Sequence, residues 1–415
     1  LSASPSAAPR RAAMPFILIA VLIDMVSIGL IVPVLPPLVG LYTGSQADQA
    51  FWFGAISLAF GLANFFGAPV LGALSDRFGR RPVMLLGFAG LAISFFGSAL
   101  APSLAVLLVV RLVSGAMQAN AAVAQAYVAD ISTPEEKAKR FGLLGAMFGL
   151  GFVLGPVMGG LLGDIDLHLP FWVAGGLAVA NSLYGLFVLP ESLPAERRQA
   201  FAWSRANPVA SLRRLGALEG VGPLVATLAL ASLVQFTMHS TWVLYTQFKF
   251  GWGPKENGWS LFAVGLMATL VQGGLMRPLL KRWAAPRLAV LGLVSSACAY
   301  ALWGAATEDW MMYAVIGFNV LGFTATAALQ SIVSNAADAR SQGQTLGAVA
   351  SLQSLMAVIA PMIGASLLGL VSHLPLGDWR IGLPFFFCAL AQALGAFLAW
   401  RHFRAQRRAV ASAAA

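Results

Sequence analysis

Apolar residues fall in long runs broken by short polar punctuation. Six runs lie near 14–39, 51–73, 83–101, 103–128, 141–163 and 170–189. Six more lie near 221–246, 258–280, 287–306, 310–333, 345–369 and 380–400. Each is close to the roughly 20 residues that a helix needs to cross a bilayer, and none alternates like a barrel strand. The pattern predicts an all-α membrane protein of twelve transmembrane helices, numbered here as spans 1 to 12. The longest polar stretch, Pro190 to Gly220, divides them six and six. Expected boundaries are a tail at 1–13, a first bundle at 14–189, a linker at 190–220, a second bundle at 221–400 and a tail at 401–415. Weak repetition supports two pseudo-symmetric six-helix bundles. Gly151 to Gly160 in span 5 parallels Met356 to Ala365 in span 11, and Arg77, Arg80 and Arg81 are echoed by Arg277, Lys281 and Arg282.

Composition fits this reading. The chain is 59% hydrophobic and only 10% charged, against roughly 25% charged in soluble domains. A soluble enzyme, a disordered chain and a nucleic-acid-binding domain are excluded as main readings. The net charge of +10 is explained by position. With the N-terminus in the cytoplasm, 22 of the 26 basic residues fall on that side. The positive charge therefore faces anionic membrane lipid rather than nucleic acid. The expectation is a multi-pass inner or plasma membrane protein, monomeric, with both termini cytoplasmic. Residues 1–13 are Ser/Ala/Pro-rich without an apolar signal core and read as a short disordered tail. Cys298 and Cys388 sit inside apolar runs, so neither a disulfide framework nor a zinc site is expected, and no cofactor or metal is called for.

Of 16 acidic residues only Asp24 lies deep in a span, and of the basic residues only Arg111. A charge at mid-bilayer costs about 3 kcal/mol and normally faces a cavity or a partner. One reading is a static Asp24–Arg111 pair fixing span 1 to span 4, and the other is proton titration or substrate contact. In span 4, Arg111, Gly115, Gln118, Ala122 and Gln125 fall on one helical face. Span 7 repeats the pattern with Ser232, Gln235, His239, Trp242 and Thr246. Such faces suit a semi-polar pocket or ordinary interhelical hydrogen bonding. His239, the one histidine inside a span, is also a candidate proton carrier. Asn64, Asn319, Gln330 and Gln353 are further candidate substrate contacts.

Two motifs remain. The segment Gly72-Ala-Leu-Ser-Asp76-Arg77-Phe-Gly79-Arg80-Arg81 reads as a loop in which the glycines allow a tight turn and Asp76 caps a neighbouring helix. Span 5 carries Gly151, Gly155, Pro156, Gly159 and Gly160, a spacing that gives tight helix contact with a bend.

At these residues the chain resembles the major facilitator superfamily and, within it, the twelve-helix drug/proton antiporters. Gly72 to Arg81 is similar to the family loop signature G-x-L-a-D-R-x-G-R-[RK], departing only at Ser75. Gly151 to Gly160 is similar to the antiporter signature G-x-x-x-G-P-x-x-G-G, and Arg111-x-x-x-Gly115 to the fourth-helix Arg motif. Span 1, with Asp24, Gly29, Pro33, Leu35 and Pro36, most resembles tetracycline efflux antiporters. The resemblance implies the major facilitator fold and alternating access, with proton influx driving export of amphipathic small molecules. It also implies that Asp76 and Arg77 belong to a cytoplasmic latch. Tetracycline exporters generally carry further acids in spans 3 and 9, and this chain has none at 83–101 or 287–306, which leaves Asp24 as the coupling carboxylate. The alternative is a facilitator or importer of a small polar metabolite in the same fold. A channel or membrane sensor is disfavoured by the two-half repeat, and an enzyme by the lack of clustered Ser/His, paired acids or metal ligands within the spans.

Overall fold

The computed structural model describes residues 8–201, 222–336 and 342–413. Among them every regular element is a helix, and eleven are long and apolar enough to cross a membrane. Spans 1 to 6 are Ala13–Gly40, Gln46–Phe78, Arg80–Ala99, Leu104–Ile131, Glu135–Ile165 and Leu169–Phe187. Spans 7, 8, 9, 11 and 12 are Pro223–Phe250, Pro254–Arg282, Ala285–Ala305, Val349–Val371 and Trp379–Arg408. Span 10 is the bent pair Asp309–Phe318 and Gly322–Ile332, turned by 56° at the break, and counting it as one span gives twelve. The chain is a multi-pass membrane protein.

The differences from expectation are mostly of length. Helix Ala8–Ile31 starts inside the stretch read as a disordered tail. Span 2 runs on to Phe78, so Asp76 and Arg77 occupy its last helical turn rather than a loop. Lys249, beyond the expected end of span 7 near 246, lies in its last helical turn and is 1% exposed. Of the central basic residues, Arg205, Arg213 and Arg214 lie outside the described residues, as does Arg340.

Two compact units emerge. The first comprises 1–42, 59–207 and 253–262, and the second 43–58, 208–252 and 263–415. Spans 2 and 8 each contribute to both. In the first unit Ile17, Ala20 and Val21 of span 1 pack with Met84 and Phe88 of span 3, Val123 and Tyr127 of span 4, and Leu144 of span 5. In the second, Leu224 and Leu228 of span 7 pack with Ala289 and Leu293 of span 9, Leu329 of span 10, and Ala399 and Phe403 of span 12. Spans 1, 3 and 4 of the first core thus correspond to spans 7, 9 and 10 of the second.

Spans 4 and 10 are both interrupted near their middles. Span 4 consists of Leu104–Met117 and Asn120–Ile131, with Gln118 and Ala119 off the helical path. Backbone groups freed inside a membrane need partners. The carbonyl of Gln118 receives Nδ2 of Asn64 at 2.7 Å. In span 10 the break begins at Asn319, whose Oδ1 accepts from Ser295 Oγ at 3.1 Å.

Candidate functional site

Asp24 is 4% exposed and lies in the helix that opens span 1. Its Oδ1 accepts a hydrogen bond from Asn120 Nδ2 at 3.0 Å. Asn120 begins the second half-helix of span 4, and Asn64 of span 2 holds the break just before it. A polar thread therefore runs from span 2 through the interrupted span 4 to the span 1 carboxylate. One turn back from Asp24, the carbonyl of Ala20 accepts from Asn181 Nδ2 of span 6 at 2.9 Å. The sequence reading missed Asn120 and Asn181. The signal available was an uncharged polar residue in an apolar run, which several other positions share.

The static Asp24–Arg111 pair, one of the two readings of these residues, is not formed. Among the described residues no carboxylate lies within 4.0 Å of the Arg111 guanidinium. Arg111 is 5% exposed, and its Nε and one terminal nitrogen, Nη2, have no hydrogen-bond partner. The shared face drawn through span 4 also fails, because the break at Gln118 changes the helical phase. Arg111 and Gly115 are buried, Gln118 is half-buried, and Ala122 and Gln125 are exposed. Asn64, with its Nδ2 given to the Gln118 carbonyl, serves the break rather than an open pocket.

Span 7 is continuous, and its polar face survives in part. His239 and Gln235 are half-buried, and Gln235 Oε1 lies 3.5 Å from Thr326 Oγ1 of span 10. Trp242 departs from the expected pocket role. It is 1% exposed and packed edge-on against Trp303 at 5.2 Å and Phe385 at 6.1 Å, so it belongs to the unit's core. Nearby, Lys249 Nζ donates to the Gly304 carbonyl at 2.6 Å and lies 5.4 Å from the Tyr245 ring centre. Gln330 and Gln353 are half-buried, and Asn319, 7% exposed, is tied to Ser295.

The Gly72–Arg81 motif forms a compact charge cluster. Arg80 donates through Nη1 to Asp76 Oδ1 at 2.6 Å and Ser75 Oγ at 2.7 Å, and through Nε to Asp130 Oδ2 at 2.9 Å. Asp76 thus pairs with Arg80 instead of capping a neighbouring helix. The start of span 3 is capped by Glu191, whose carboxylate accepts from the backbone N–H of Arg80 at 2.9 Å and of Arg81 at 3.2 Å. Arg81 reaches the carbonyls of Gly185 and Leu186, and Arg77 lies over the Phe78 ring at 5.0 Å. Gly79 has φ +106°, a conformation that side chains rarely adopt, and a Cβ there would overlap Glu191. Gly72, by contrast, has open space around it. Asp130 and Glu191, distant in sequence, were not anticipated.

The glycines of span 5 set a backbone contact with span 1. A Cβ on Gly155 would stand 2.6 Å from Gly29 Cα, and Cβ atoms on Gly151 and Gly159 would overlap Met25 and Leu30. Gly160 turns the other way, where its Cβ would meet the Pro254 carbonyl at 2.6 Å and Gly258 Cα at 2.9 Å. Pro156 lies at the same crossing, its ring beside Gly29.

Comparison with known proteins places the chain in a family. A family model described as Major Facilitator Superfamily matches residues 17–361. The chain is 38% identical over 355 residues to the tetracycline resistance protein, class C, of Escherichia coli, covering 85% of this chain and 88% of that protein. It is 34% identical over 378 residues to the class D protein of Salmonella ordonez, covering 91% and 95%. The crystal structure of the human organic anion transporter MFSD10 superposes with a TM-score of 0.69 at 25% identity, over 95% of this chain and all of that one.

Proposed function

The chain belongs to the major facilitator superfamily, a family of transporters of small molecules, and from that premise we propose that it is a proton-coupled antiporter exporting amphipathic, drug-like compounds. One observation carries this reading. Asp24 is a buried carboxylate held by a single carboxamide, with no cation beside it among the described residues. A static structural carboxylate would be compensated by a counter-charge, whereas one that exchanges protons needs an environment that tolerates both states. Rocking of the halves 14–189 and 221–400 would expose Asp24 alternately to the two aqueous sides. Proton binding outside and release inside would then be linked to substrate release and binding. The Asp76–Arg80–Asp130 cluster acts in this scheme as a latch at the cytoplasmic ends of spans 2 and 3. Gln118, Gln125, Gln235, His239, Gln330 and Gln353 are the proposed substrate contacts. The sites are those of a monomer in the inner or plasma membrane.

The test is Asp24→Asn in proteoliposomes, which keeps size and removes ionisation. The variant is expected to fold and to bind uncharged substrates, yet to lose accumulation driven by a pH gradient. Undiminished accumulation overturns the assignment and moves it to His239.

Arg111 favours one refinement of substrate class. A buried guanidinium with unpartnered nitrogens offers a receptor for an anionic group on the transported compound. The human relative described as an organic anion transporter is consistent with that chemistry.

A further inference from the structure

Span 12 leaves the bundle as one unbroken helix, Leu383–Ala413. Its inner face, with Phe385, Cys388, Gln392, Ala396, Ala399 and Phe403, is buried in the second unit. The opposite face is divided in character. Leu390, Leu394 and Phe397 are exposed by 74%, 51% and 49%, and the same line continues one position at a time into Arg401, Arg404 and Arg408. The steps of 4, 3, 4, 3 and 4 residues keep all six on one stripe of the helix.

The basic part of the stripe is shaped. Phe397, Trp400, Arg401, Arg404, Ala405 and Arg408 line an open pocket of about 590 Å³. The Arg401 guanidinium stacks on the Phe397 ring at 5.7 Å and that of Arg404 on Trp400 at 5.1 Å. Such cation–π contacts hold each guanidinium beside its ring while leaving N–H groups able to donate. The helix contains no Asp or Glu, and among the described residues no carboxylate pairs with Arg401, Arg404 or Arg408. Three arginines thus line one concavity, and none of them pairs with a carboxylate among the described residues.

We propose that this stripe is a binding site for one anionic phospholipid, with the phosphate held by Arg401, Arg404 and Arg408 and an acyl chain lying along Phe397, Leu394 and Leu390. Two features select a lipid over a free anion. The span enters at Trp379, and about 20 helical residues cross the hydrocarbon core, so Trp400 and Arg401 stand at the boundary between acyl chains and headgroups. The rise from Leu390 to Arg401 is about 16 Å, close to the roughly 15 Å of one leaflet's hydrocarbon. The stripe therefore matches an amphiphile in both polarity and length. Basic pockets at membrane boundaries recognise acidic headgroups by this chemistry. The site is independent of the transport path and of which way the chain is inserted.

Native mass spectrometry of the purified full-length protein, titrated with dioleoyl phosphatidylglycerol, tests it. Wild type is expected to retain the lipid roughly tenfold or more better than the triple variant Arg401→Gln, Arg404→Gln, Arg408→Gln, with dioleoyl phosphatidylcholine retained weakly by both. Arg404→Gln alone, an exposed substitution, should give a smaller loss in the same direction and serves if the triple variant is not recovered. Leu390→Ala with Leu394→Ala, all charges kept, should also weaken retention. Equal phosphatidylglycerol retention by wild type and the arginine variants overturns the site. Displacement of the lipid by inorganic phosphate at large excess would reduce the pocket to a simple anion site and overturn the lipid assignment.

Discussion

Gly87 of span 3 makes room for Asn120 of span 4: a Cβ at position 87 would overlap the Asn120 carboxamide oxygen. The other end of that carboxamide donates to Asp24. The absence of a side chain on one helix thereby positions a hydrogen-bond donor of a carboxylate on another.

Gly87→Ala should displace Asn120 and mimic its removal. Overpacking at such a contact costs about 1–3 kcal/mol, and so does leaving a buried polar group without its partner. Asn120→Ala and Gly87→Ala are each expected to lower proton-driven transport several-fold, and the double variant should be no worse than the more severe single one. Additive losses in vesicle assays would mean that the two residues act separately.

Arg111 makes the opposite kind of prediction. Because no carboxylate among the described residues lies within 4.0 Å of it, its removal strands no counter-charge there, and an isolated buried cation is costly. Arg111→Gln should keep or raise the melting temperature while reducing transport of anionic substrates about tenfold more than of neutral ones. A large stability loss, or equal effects on both substrate types, would return Arg111 to a structural role.

The cap at the start of span 3 can be probed through Gly79 and Glu191. Glu191→Ala frees the backbone N–H groups of Arg80 and Arg81 and should cost about 1–2 kcal/mol. Gly79→Ala should cost at least as much, since its backbone disfavours side chains and its Cβ would push the same carboxylate aside. Denaturation monitored by circular dichroism should therefore give a double variant well short of the sum. Strict additivity would show that Glu191 does not set the turn.

Orientation is checked at Glu196, an exposed residue in the short turn Ala195–Arg197. A cysteine there should react with impermeant reagents only from the cytoplasmic side. Labelling from outside intact cells would reverse the assignment.

The twelve spans were legible because a bilayer filters sequence so severely: a run of about 20 apolar residues has few other uses. Asp24 and Arg111 stood out for the same reason. Their partners did not. Asn120 and Asn181 are ordinary carboxamides in apolar runs, and only folding brings them to span 1. The break in span 4 is invisible in the sequence because Gln118 and Ala119 carry no helix-breaking residue type, so the helical phase reads straight through it. Trp242 shows a further limit, since an aromatic at pocket spacing has the same pattern as one that closes a core. Lys249 is buried despite its charge because the Gly304 carbonyl and the Tyr245 ring supply its surroundings inside the fold.

The contact of Gly29 with Gly155 has a consequence for how this transporter can diversify. Two backbones that touch leave no side chain through which the distance between them can be adjusted, and every substitution there moves the helices apart. Selection for a new compound has no gradual route through that crossing. Adaptation must instead run through the half-buried positions of spans 4, 7, 10 and 11, where Gln118, Gln235, His239, Gln330 and Gln353 can change size and polarity one step at a time. Variation in substrate range should accordingly cluster on those faces and leave the crossing of spans 1 and 5 unchanged.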